Sequence, residues 1–457
     1  MQKIILAVIF LSTIKPLHRG ELLTFEFMES KTSGEIYLEL SELIGQTVPL
    51  AQYGSSIYSI RYRTIDPFGN YTIASGSVSI PDTDIYCPIL SYQHGTTLKR
   101  DKVSSVRGFD LIGTWLSSAG FITTQPDYLG LGASELFHPY QIANPYGTDI
   151  VDILRATKEL INELNIHWNG QLFLTGYSEG GYATMAVQKA LEEDYPYEFN
   201  LTLSIPMAGA HSMSGVMFDL MMEGEPYGEP WYLPYTVFAY DYVYELYNSP
   251  EEYLKPEYAD ILPPLFDGYH STSEVNSVMP SIPINIFKDE YVADIQSDEN
   301  HPLRACLREN DLFDWKPQTT TILYHSNNDE LVPVSNSVIA YNSFINNGAI
   351  DCGDQPGPVP MNCVELNTDN WGPHSSAALY TIVSGMYDSA SRVNNRPPAK
   401  YSIVNHNIEY SFFDINIESQ DEIGGFQFNI FGAEIESIES LLPNEISFEI
   451  SSSTDLI

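Results

Sequence analysis

The sequence predicts an α/β protein with a mostly parallel sheet and helices on both faces of that sheet. Short apolar strands alternate with helical segments between Pro88 and Pro206, and the alternation resumes at Thr319. Strands that alternate with helices in this way form parallel sheets covered on both faces. The composition fits a protein with a large core, because 43% of the residues are hydrophobic and only 18% are charged.

The charge of the chain restricts its partners. Its 457 residues include 21 Lys and Arg against 60 Asp and Glu, which gives a formal net charge of −39. So few basic side chains cannot neutralise a phosphate backbone, and nucleic acids and anionic membrane surfaces are therefore poor partners. We interpret the acidity as a solvated surface that keeps the chain soluble.

Residues 1–20 have the pattern of a signal peptide. Lys3 precedes an apolar run from Ile4 to Ile14, and this run is too short to span a bilayer. The sequence therefore predicts a secreted protein, extracellular or periplasmic, without a stable membrane anchor. The alternative is that the run is a buried first strand or helix.

The four cysteines bear on the same question, because an exported protein is expected to oxidise them. Cys352 and Cys363 flank a short loop rich in Pro and Gly, and a local disulfide could close it. Cys87 and Cys306 are the other two. The alternative is that the cysteines are free buried thiols.

The predicted elements begin with a β-hairpin from Ser56 to Pro81, where an alternating pattern is interrupted by Pro-Phe-Gly-Asn. Apolar runs and helical spacing predict the later elements. In chain order these are a strand Pro88–Gln93, a helix near Phe109–Ala119, a strand Phe121–Gln125, a helix Asp149–Leu164, a strand Gln171–Thr175, a helix near Glu179–Glu193, strands Leu201–Pro206 and Thr319–His325, a helix near Asn336–Asn346, a strand Val364–Asn367 and a helix Ser375–Tyr387.

The alternation of strands and helices stops after the sixth predicted strand, which predicts an insertion at about residues 210–310. It sits on a connection at the end of a strand, where α/β sheets place their sites, and we interpret it as a helical cap. Aromatic residues cluster between Trp231 and Tyr247. Packing within the cap is the simpler explanation for this cluster, and lining an acyl pocket is the alternative.

The final segment, residues 401–457, contains no Lys or Arg but many acidic residues. Apolar and polar residues nevertheless alternate in parts of it, such as IEYSFFDINI. Alternation of this kind favours a small β appendage over a disordered acidic tail.

The strongest local motif is Gly176-Tyr-Ser178-Glu-Gly180, directly after one predicted strand and directly before a helix. In the Gly-x-Ser-x-Gly pattern the serine sits on a strained turn between strand and helix, and the flanking glycines avoid clashes with their neighbours. This position lies at the carboxyl edge of the sheet and at the amino end of a helix, where negative charge is favoured. We therefore predict that Ser178 is a nucleophile.

A serine nucleophile needs a general base, and the base needs an acid to orient it. The chain order in this class is serine, acid, histidine, with the acid after the strand that follows the cap. Only His374 and His406 come late enough, and His406 lies in the acidic extension, so we select His374.

Asp329 is our choice for the acid. It lies in the turn after Thr319–His325, and the Val-Pro that follows closes this turn. The competing carboxylates are Glu330, Asp351, Asp354 and Asp369, which have the pattern of solvated loop residues.

An oxyanion needs two backbone N–H donors. The amide of Glu179, next to the nucleophile, is the first expected donor. The second expected donor lies in the loop after the strand Pro88–Gln93, where Gly95 allows a close turn. The amide of Thr96 is the first choice for it, and that of Thr97 is the alternative. His94 is expected to fasten this loop rather than to act in catalysis.

Several of these motifs together resemble the α/β-hydrolases, and among them the exported bacterial esterase/lipase-like proteins related to the secretory lipase group. The matching segments are Tyr92–Thr96, Pro126–Gly132, Gly176–Gly180, Asn310–Pro317 and His325–Pro333. The likeness extends from about Tyr58 to Tyr387. It implies the α/β-hydrolase fold and hydrolysis of carboxylic esters through an acyl-enzyme, under a helical cap. The loop with Cys352 and Cys363, just before the histidine, departs from the family pattern.

The leading hypothesis is a secreted serine esterase or lipase whose catalytic domain spans residues 21–390. Ser178 would attack the ester, His374 would transfer the proton, and Asp329 would hold the imidazole, with no metal or organic cofactor. The expected partner is a small-molecule or lipid ester. Two alternatives remain: a peptidase or acyltransferase with the same three residues, and a binding protein without turnover.

Overall fold

The computed structural model describes residues 18–44, 51–108, 110–354, 362–397, 400–407 and 412–418. The chain divides into two units, Met1–Pro398 and Ala399–Ile457. The first 17 residues of the predicted signal peptide lie outside the described residues.

A ten-stranded sheet forms the centre of the first unit, in the order β1-β2-β3-β5-β4-β6-β7-β8-β10-β9. The three neighbouring pairs β1–β2, β2–β3 and β3–β5 are antiparallel. The other six neighbouring pairs, from β5–β4 to β10–β9, are parallel. The strands are β1 (Leu22–Lys31), β2 (Ser55–Ile65), β3 (Tyr71–Pro81), β4 (Cys87–Gln93), β5 (Ile122–Pro126), β6 (Trp168–Tyr177), β7 (Asn200–Met207), β8 (Thr321–Ser326), β9 (Ile350–Asp351) and β10 (Cys363–Asp369).

Helices of the first unit pack around this sheet and build the insertion. They are α1 (Ser33–Ile44), α2 (Ser104–Arg107), α3 (Leu111–Ser118), α4 (Ala143–Glu163), α5 (Glu179–Glu193), α6 (Phe218–Met222), α7 (Tyr232–Tyr244), α8 (Pro256–Ala259), α9 (Thr272–Asn276), α10 (Asp289–Ser297), α11 (Pro302–Glu309), α12 (Ser335–Asn346) and α13 (His374–Ala390). Further single turns of helix occur at Met213–Met217, Pro250–Glu252, Pro263–Phe266, Pro283–Ile286 and Cys352–Asp354.

The predicted α/β class is confirmed, and the predicted strands and helices occur within a few residues of their expected bounds, except that α4 begins at Ala143 rather than at Asp149. Strands β1 and β9 and helices α1 and α2 were not predicted from the sequence. Strand β1 (LLTFEFMESK) is an edge strand whose residues are all half-buried or exposed, so it lacks the apolar run that marks the central strands. Once β1 is counted, the strand before the insertion becomes the seventh rather than the sixth.

The insertion between β7 and β8 contains α6 to α11, as expected for a helical cap. Asn310, at its end, connects it to the rest of the domain. Its Oδ1 accepts from the backbone N–H of Ala143 at 2.9 Å, its Nδ2 donates to the hydroxyl of Tyr244 at 2.7 Å, and its carbonyl accepts from Tyr182 at 2.8 Å. Asn310 thus joins the end of the cap to α4 and α5, and its side chain also contacts α7 within the cap.

Two further contacts lie near the two ends of the first unit. Arg19, within the predicted signal peptide, donates to Asp152 Oδ2 at 3.0 Å and to the hydroxyl of Tyr195 at 2.9 Å. Cys352 and Cys363 form the disulfide that the sequence suggested, with their Cα atoms 5.0 Å apart, whereas Cys87 and Cys306 are free.

The second unit is described for two strands, β11 (Lys400–Asn407) and β12 (Phe412–Glu418), which pair antiparallel. The predicted β appendage is therefore present in this part, and residues 419–457 lie outside the described residues. Within the described parts of the chain, no helix is long and apolar enough to cross a membrane.

Candidate active site

Ser178 occupies a strained turn between β6 and α5. Its φ of 63° and ψ of −121° are unusual for a residue with a side chain. The two glycines of the motif are required by close packing. A Cβ on Gly176 would lie 2.4 Å from the carbonyl oxygen of Gly180, and a Cβ on Gly180 would lie 2.0 Å from that of Gln93. Larger residues at either position would push the serine out of place.

The structure brings together the three residues that the sequence selected. His374 Nε2 lies 2.9 Å from Ser178 Oγ, and His374 Nδ1 lies 2.6 Å from Asp329 Oδ2. All three are buried, with 8%, 5% and 8% of their surface exposed for Ser178, His374 and Asp329. Each follows a different strand: Ser178 follows β6, Asp329 follows β8, and His374 follows β10. The carboxyl ends of these parallel strands therefore supply all three side chains.

Asp329 is held as a carboxylate. Its Oδ1 accepts from the backbone N–H groups of Leu331 and Val332, at 3.1 and 2.8 Å. His325 Nε2 lies 3.3 Å from the Oδ2 that also faces His374. Burial by itself raises the pKa of Asp329, but the hydrogen bonds from His325 and His374 outweigh it and lower this pKa to about 2.

Two further residues, not assigned to the site from the sequence, hold the backbone of His374. Glu330 Oε2 accepts the backbone N–H of His374 at 2.9 Å, at the first residue of α13. The hydroxyl of Tyr177 donates to the carbonyl of His374 at 2.6 Å, and the two rings lie 5.0 Å apart. Tyr177 is the variable position before the serine, so the motif itself gave no signal for it.

The remaining candidate acids and the second histidine have other locations. Asp369 is exposed and accepts from the backbone N–H of Asn370, and Asp351 accepts from that of Gly353. Asp354 lies in the helical turn Cys352–Asp354, and His406 lies on β11 in the second unit.

The loop after β4 lies beside the nucleophile. A Cβ on Gly95 would be 3.9 Å from that of Ser178, and the hydroxyl of Thr96 lies 3.2 Å from that of Tyr140. His94 contacts backbone atoms, with Nδ1 2.8 Å from the carbonyl of Gly95 and Nε2 3.2 Å from that of Asp127. These contacts fit the expected fastening role of His94. The roles of Thr96 and of the Glu179 amide as oxyanion donors stay predictions.

An apolar cavity opens from Ser178 into the cap. Its lining is mainly methionine, aliphatic and aromatic, and includes Met213, Met217, Met221, Leu303, Leu307 and Phe287. The aromatic cluster of the cap divides between two roles. Tyr232 lines the cavity, whereas Trp231 and Tyr235 are each 2% exposed. Tyr235 packs between Trp231 and Tyr140, the latter outside the cap.

Where the structure describes the chain, no group of three His, Cys, Asp or Glu residues could hold a metal ion.

Solved structures of two bacterial proteins are similar to most of this chain. The esterase LipA of Xanthomonas oryzae, a rice cell wall degrading esterase also solved with a bound ligand, matches with a TM-score of 0.72 and 28% identity over 82% of this chain and 99% of LipA. A proposed hydrolase of Legionella pneumophila matches with a TM-score of 0.72 and 27% identity, over 81% of this chain and 98% of its own.

More distant matches concern the fold or a part of the chain. Lipase A of Candida antarctica has a TM-score of 0.59 at 14% identity, over 83% of this chain and 84% of its own, and so shows a shared fold. The family model of the prolyl oligopeptidase family matches residues 107–258. No curated protein matches the chain by sequence.

Proposed function

Because the chain belongs to the α/β-hydrolase superfamily, we propose that it is a serine esterase or lipase that cleaves carboxylic esters through an acyl-enzyme. One observation carries this proposal. Ser178, His374 and Asp329 form a continuous chain of hydrogen-bond contacts, and the serine at its end borders an apolar cavity. This combination suits a substrate that has a reactive carbonyl and an apolar acyl group.

In the proposed reaction, His374 Nε2 removes the hydroxyl proton as Ser178 Oγ attacks the ester carbonyl. The tetrahedral intermediate collapses, the bond to the alcohol oxygen breaks, and His374 gives its proton to the leaving alcohol. Water then attacks the acyl-serine with His374 as base, which releases the carboxylic acid and restores the serine. Asp329 accepts from Nδ1–H throughout and stabilises the imidazolium.

The amides of Glu179 and Thr96 would bind the negatively charged oxygen of the intermediate. The amide of Glu179 is the first of α5, and the first N–H groups of a helix have no partner within that helix. A pair of such donors stabilises charge that develops only in the transition state.

The acyl group is proposed to enter the cavity in the cap. Its lining offers apolar contact along the wall and few polar atoms, so a longer acyl chain gains more contact than a short one. A charged peptide side chain would be desolvated there without a partner. The substrate class proposed is therefore an ester with an apolar acyl chain.

A peptidase is the second candidate, because the prolyl oligopeptidase family model covers the segment that includes Ser178. That segment ends at residue 258, before Asp329 and His374, and it contains the part of the fold that serine hydrolases share. An acyltransferase or a binding protein without turnover would use the same fold.

Hydrolysis of p-nitrophenyl esters from acetate to palmitate, beside aminoacyl p-nitroanilides, separates these functions. We expect turnover of the esters, with kcat/KM rising beyond the butyrate, and loss of turnover in Ser178→Ala by a factor on the order of 10⁴ or more. Preferential cleavage of the anilides would favour the peptidase, and a folded protein that turns over neither class would contradict an enzymatic role.

We further propose that the protein is exported and that residues 21–390 form its catalytic domain. The basic and apolar start of the chain and the disulfide between Cys352 and Cys363 support export. The contacts of Arg19 bear on the cleavage position, because cleavage after residue 20 would remove them. Sequencing the amino terminus of the exported protein tests both points: a mature terminus before Arg19 would correct the domain boundary, and uncleaved protein in the cytoplasm would contradict export.

A further inference from the structure

A second buried acid–base pair lies directly behind the nucleophile. The side chain of Glu179, the residue after Ser178, is fully buried, and its Oε1 lies 2.9 Å from Nε2 of His138. The hydroxyl of Tyr146 donates to the same oxygen at 2.7 Å. The reaction proposed above uses the amide of Glu179 and leaves its carboxylate without a role.

The contacts of His138 determine where its protons are. Nδ1 lies 2.7 Å from the carbonyl oxygen of Leu129, which can only accept, so Nδ1 carries a proton. Nε2 and Oε1 of Glu179 also need one proton between them to form their hydrogen bond. The pair is therefore net neutral. Tyr146 donates to the same Oε1, and a hydrogen bond to the charged form of a carboxyl favours that form, so we place the shared proton on the imidazole.

The pair is connected to both elements that carry the predicted oxyanion donors. Glu179 begins α5 and is one donor itself. The ring of His138 stacks on Tyr128 at 5.9 Å, and Tyr128 donates through its hydroxyl to the carbonyl of His94 at 2.9 Å. Tyr140, two residues after His138, reaches the hydroxyl of Thr96. The segment around His138 thus joins α5 to the loop of residues 94–96.

We propose that His138 and Glu179 form a buried imidazolium–carboxylate pair that positions the two oxyanion donors relative to each other, an inference that rests on the proposed function. Both are positioning residues. The positive member has an electrostatic consequence as well. An unpaired carboxylate next to Ser178 would oppose the negative charge of the intermediate, and the imidazolium cancels most of that effect at close range.

The aromatic rings around His138 add no competing charge. Tyr128, Tyr140, Tyr146 and Tyr235 contact its ring, and burial raises the pKa of each of these phenols. They therefore stay neutral at the pH values where a hydrolase is assayed, and the protonation of the pair can be measured without interference from them.

The kinetic test uses Glu179→Gln, which keeps the shape of the side chain but removes the charge of the pair. Glu192→Gln is the matched control, because Glu192 is a mostly buried carboxylate on the same helix, where it accepts from the backbone N–H groups of Gln318 and Thr319. With p-nitrophenyl butyrate we expect kcat to fall on the order of 10- to 100-fold in Glu179→Gln while KM changes less than about threefold. Binding of a trifluoromethyl ketone, whose adduct places an anionic oxygen between the donors, should weaken in parallel.

The inference is overturned if Glu179→Gln keeps kcat within about twofold of the parent, or if both variants lose activity equally. A parent that neither hydrolyses esters nor reacts with a fluorophosphonate would instead refute the proposed function. Nitrogen-15 NMR of the histidine-labelled parent, assigned with His138→Gln, tests the pair independently of activity and of the folding of Glu179→Gln. Both ring nitrogens of His138 should carry protons in the folded parent, because Nδ1 faces a carbonyl oxygen and Nε2 faces a carboxylate oxygen. A ring with only one protonated nitrogen would contradict the pair.

Discussion

Two buried aspartates in this protein behave in opposite ways. Asp329, beside the proposed nucleophile, has its pKa lowered to about 2 because hydrogen bonds outweigh burial. Asp149, on α4, is fully buried as well, and burial raises its pKa to about 8. The two carboxyls differ in their partners. Asp329 accepts from two backbone N–H groups and faces two imidazoles, whereas Asp149 accepts from the hydroxyl of Tyr62 at 2.8 Å, and its Oδ2 has no hydrogen-bond partner.

The difference shows that burial alone does not create the charge that catalysis needs. A carboxyl removed from water tends to keep its proton, and donors aimed at it are required to hold it ionised. Asp149 also lies near Asp152 and Asp127, whose negative charges raise its pKa further. The chain thus uses an ionised carboxylate at the sheet edge and a protonated one in the interior.

The largest expected effect comes from Asp329→Asn. The amide cannot stabilise the imidazolium of His374, and its N–H₂ group opposes the Nδ1–H that the reaction needs, so kcat/KM for an ester should fall on the order of 10³- to 10⁴-fold. Steady-state hydrolysis measures this, and thermal unfolding checks that the variant is folded. Asp149→Asn is the matched control and should keep its kcat/KM. Equal losses in the two variants would remove the distinction between these carboxyls.

The next effect concerns stability against pH. Because the folded protein holds a proton on Asp149 with a raised pKa, this group favours the folded state at low pH and loses that contribution as pH rises from about 4 through 8. Asp149→Asn should therefore stabilise the protein by about 1–3 kcal/mol at about pH 8 and much less near pH 4. Urea unfolding across this range measures the slope, and an unchanged slope would show that Asp149 is not protonated.

Asp329 contributes in the opposite direction. Its lowered pKa means that it stabilises the folded state above about pH 4 and that this contribution is lost as pH falls toward 2. Acid unfolding of the parent should therefore be steeper than that of Asp329→Asn in this lower range.

The smallest expected effect concerns Asp152, a buried carboxyl whose charge is only partly compensated by its partners. Burial raises the pKa of Asp152, and the hydrogen bond from Arg19 lowers it in part. Arg19→Gln should destabilise the protein by about 1–2 kcal/mol at neutral pH, since Arg155 and Thr64 still contact Asp152. Denaturant unfolding of protein retaining residue 19 measures it. Lys102→Gln, at an exposed position, is the matched loss of charge and should change stability by less than about 0.5 kcal/mol; a similar loss there would indicate a general charge effect.

The sequence predicted the central strands, the helices between them and the three residues now found together. The strands and helices could be predicted because alternation is a local pattern. The three residues could be selected because the Gly-x-Ser-x-Gly turn is local and chain order limits which acid and histidine can follow. Strand β1 escaped detection because an edge strand buries little. His138 and Tyr177 gave no signal, since a lone histidine or tyrosine acquires a role only through neighbours distant in sequence.

The cap illustrates the same limit. Its position followed from an interruption of the alternating pattern, but which aromatic residues line the cavity depends on how its short helices pack. Tyr232 faces the cavity and Tyr235, one turn later on α7, is buried in the interior. No periodicity in the sequence separated these two residues.

Labelling with a fluorophosphonate tests the central claim most directly, because the reagent modifies a serine only when a base activates it and donors stabilise the adduct. Intact mass and peptide mapping of the folded parent should show one adduct for each chain, located on Ser178 and lost in Ser178→Ala. A folded protein that stays unlabelled, or one labelled at another residue, would contradict the account.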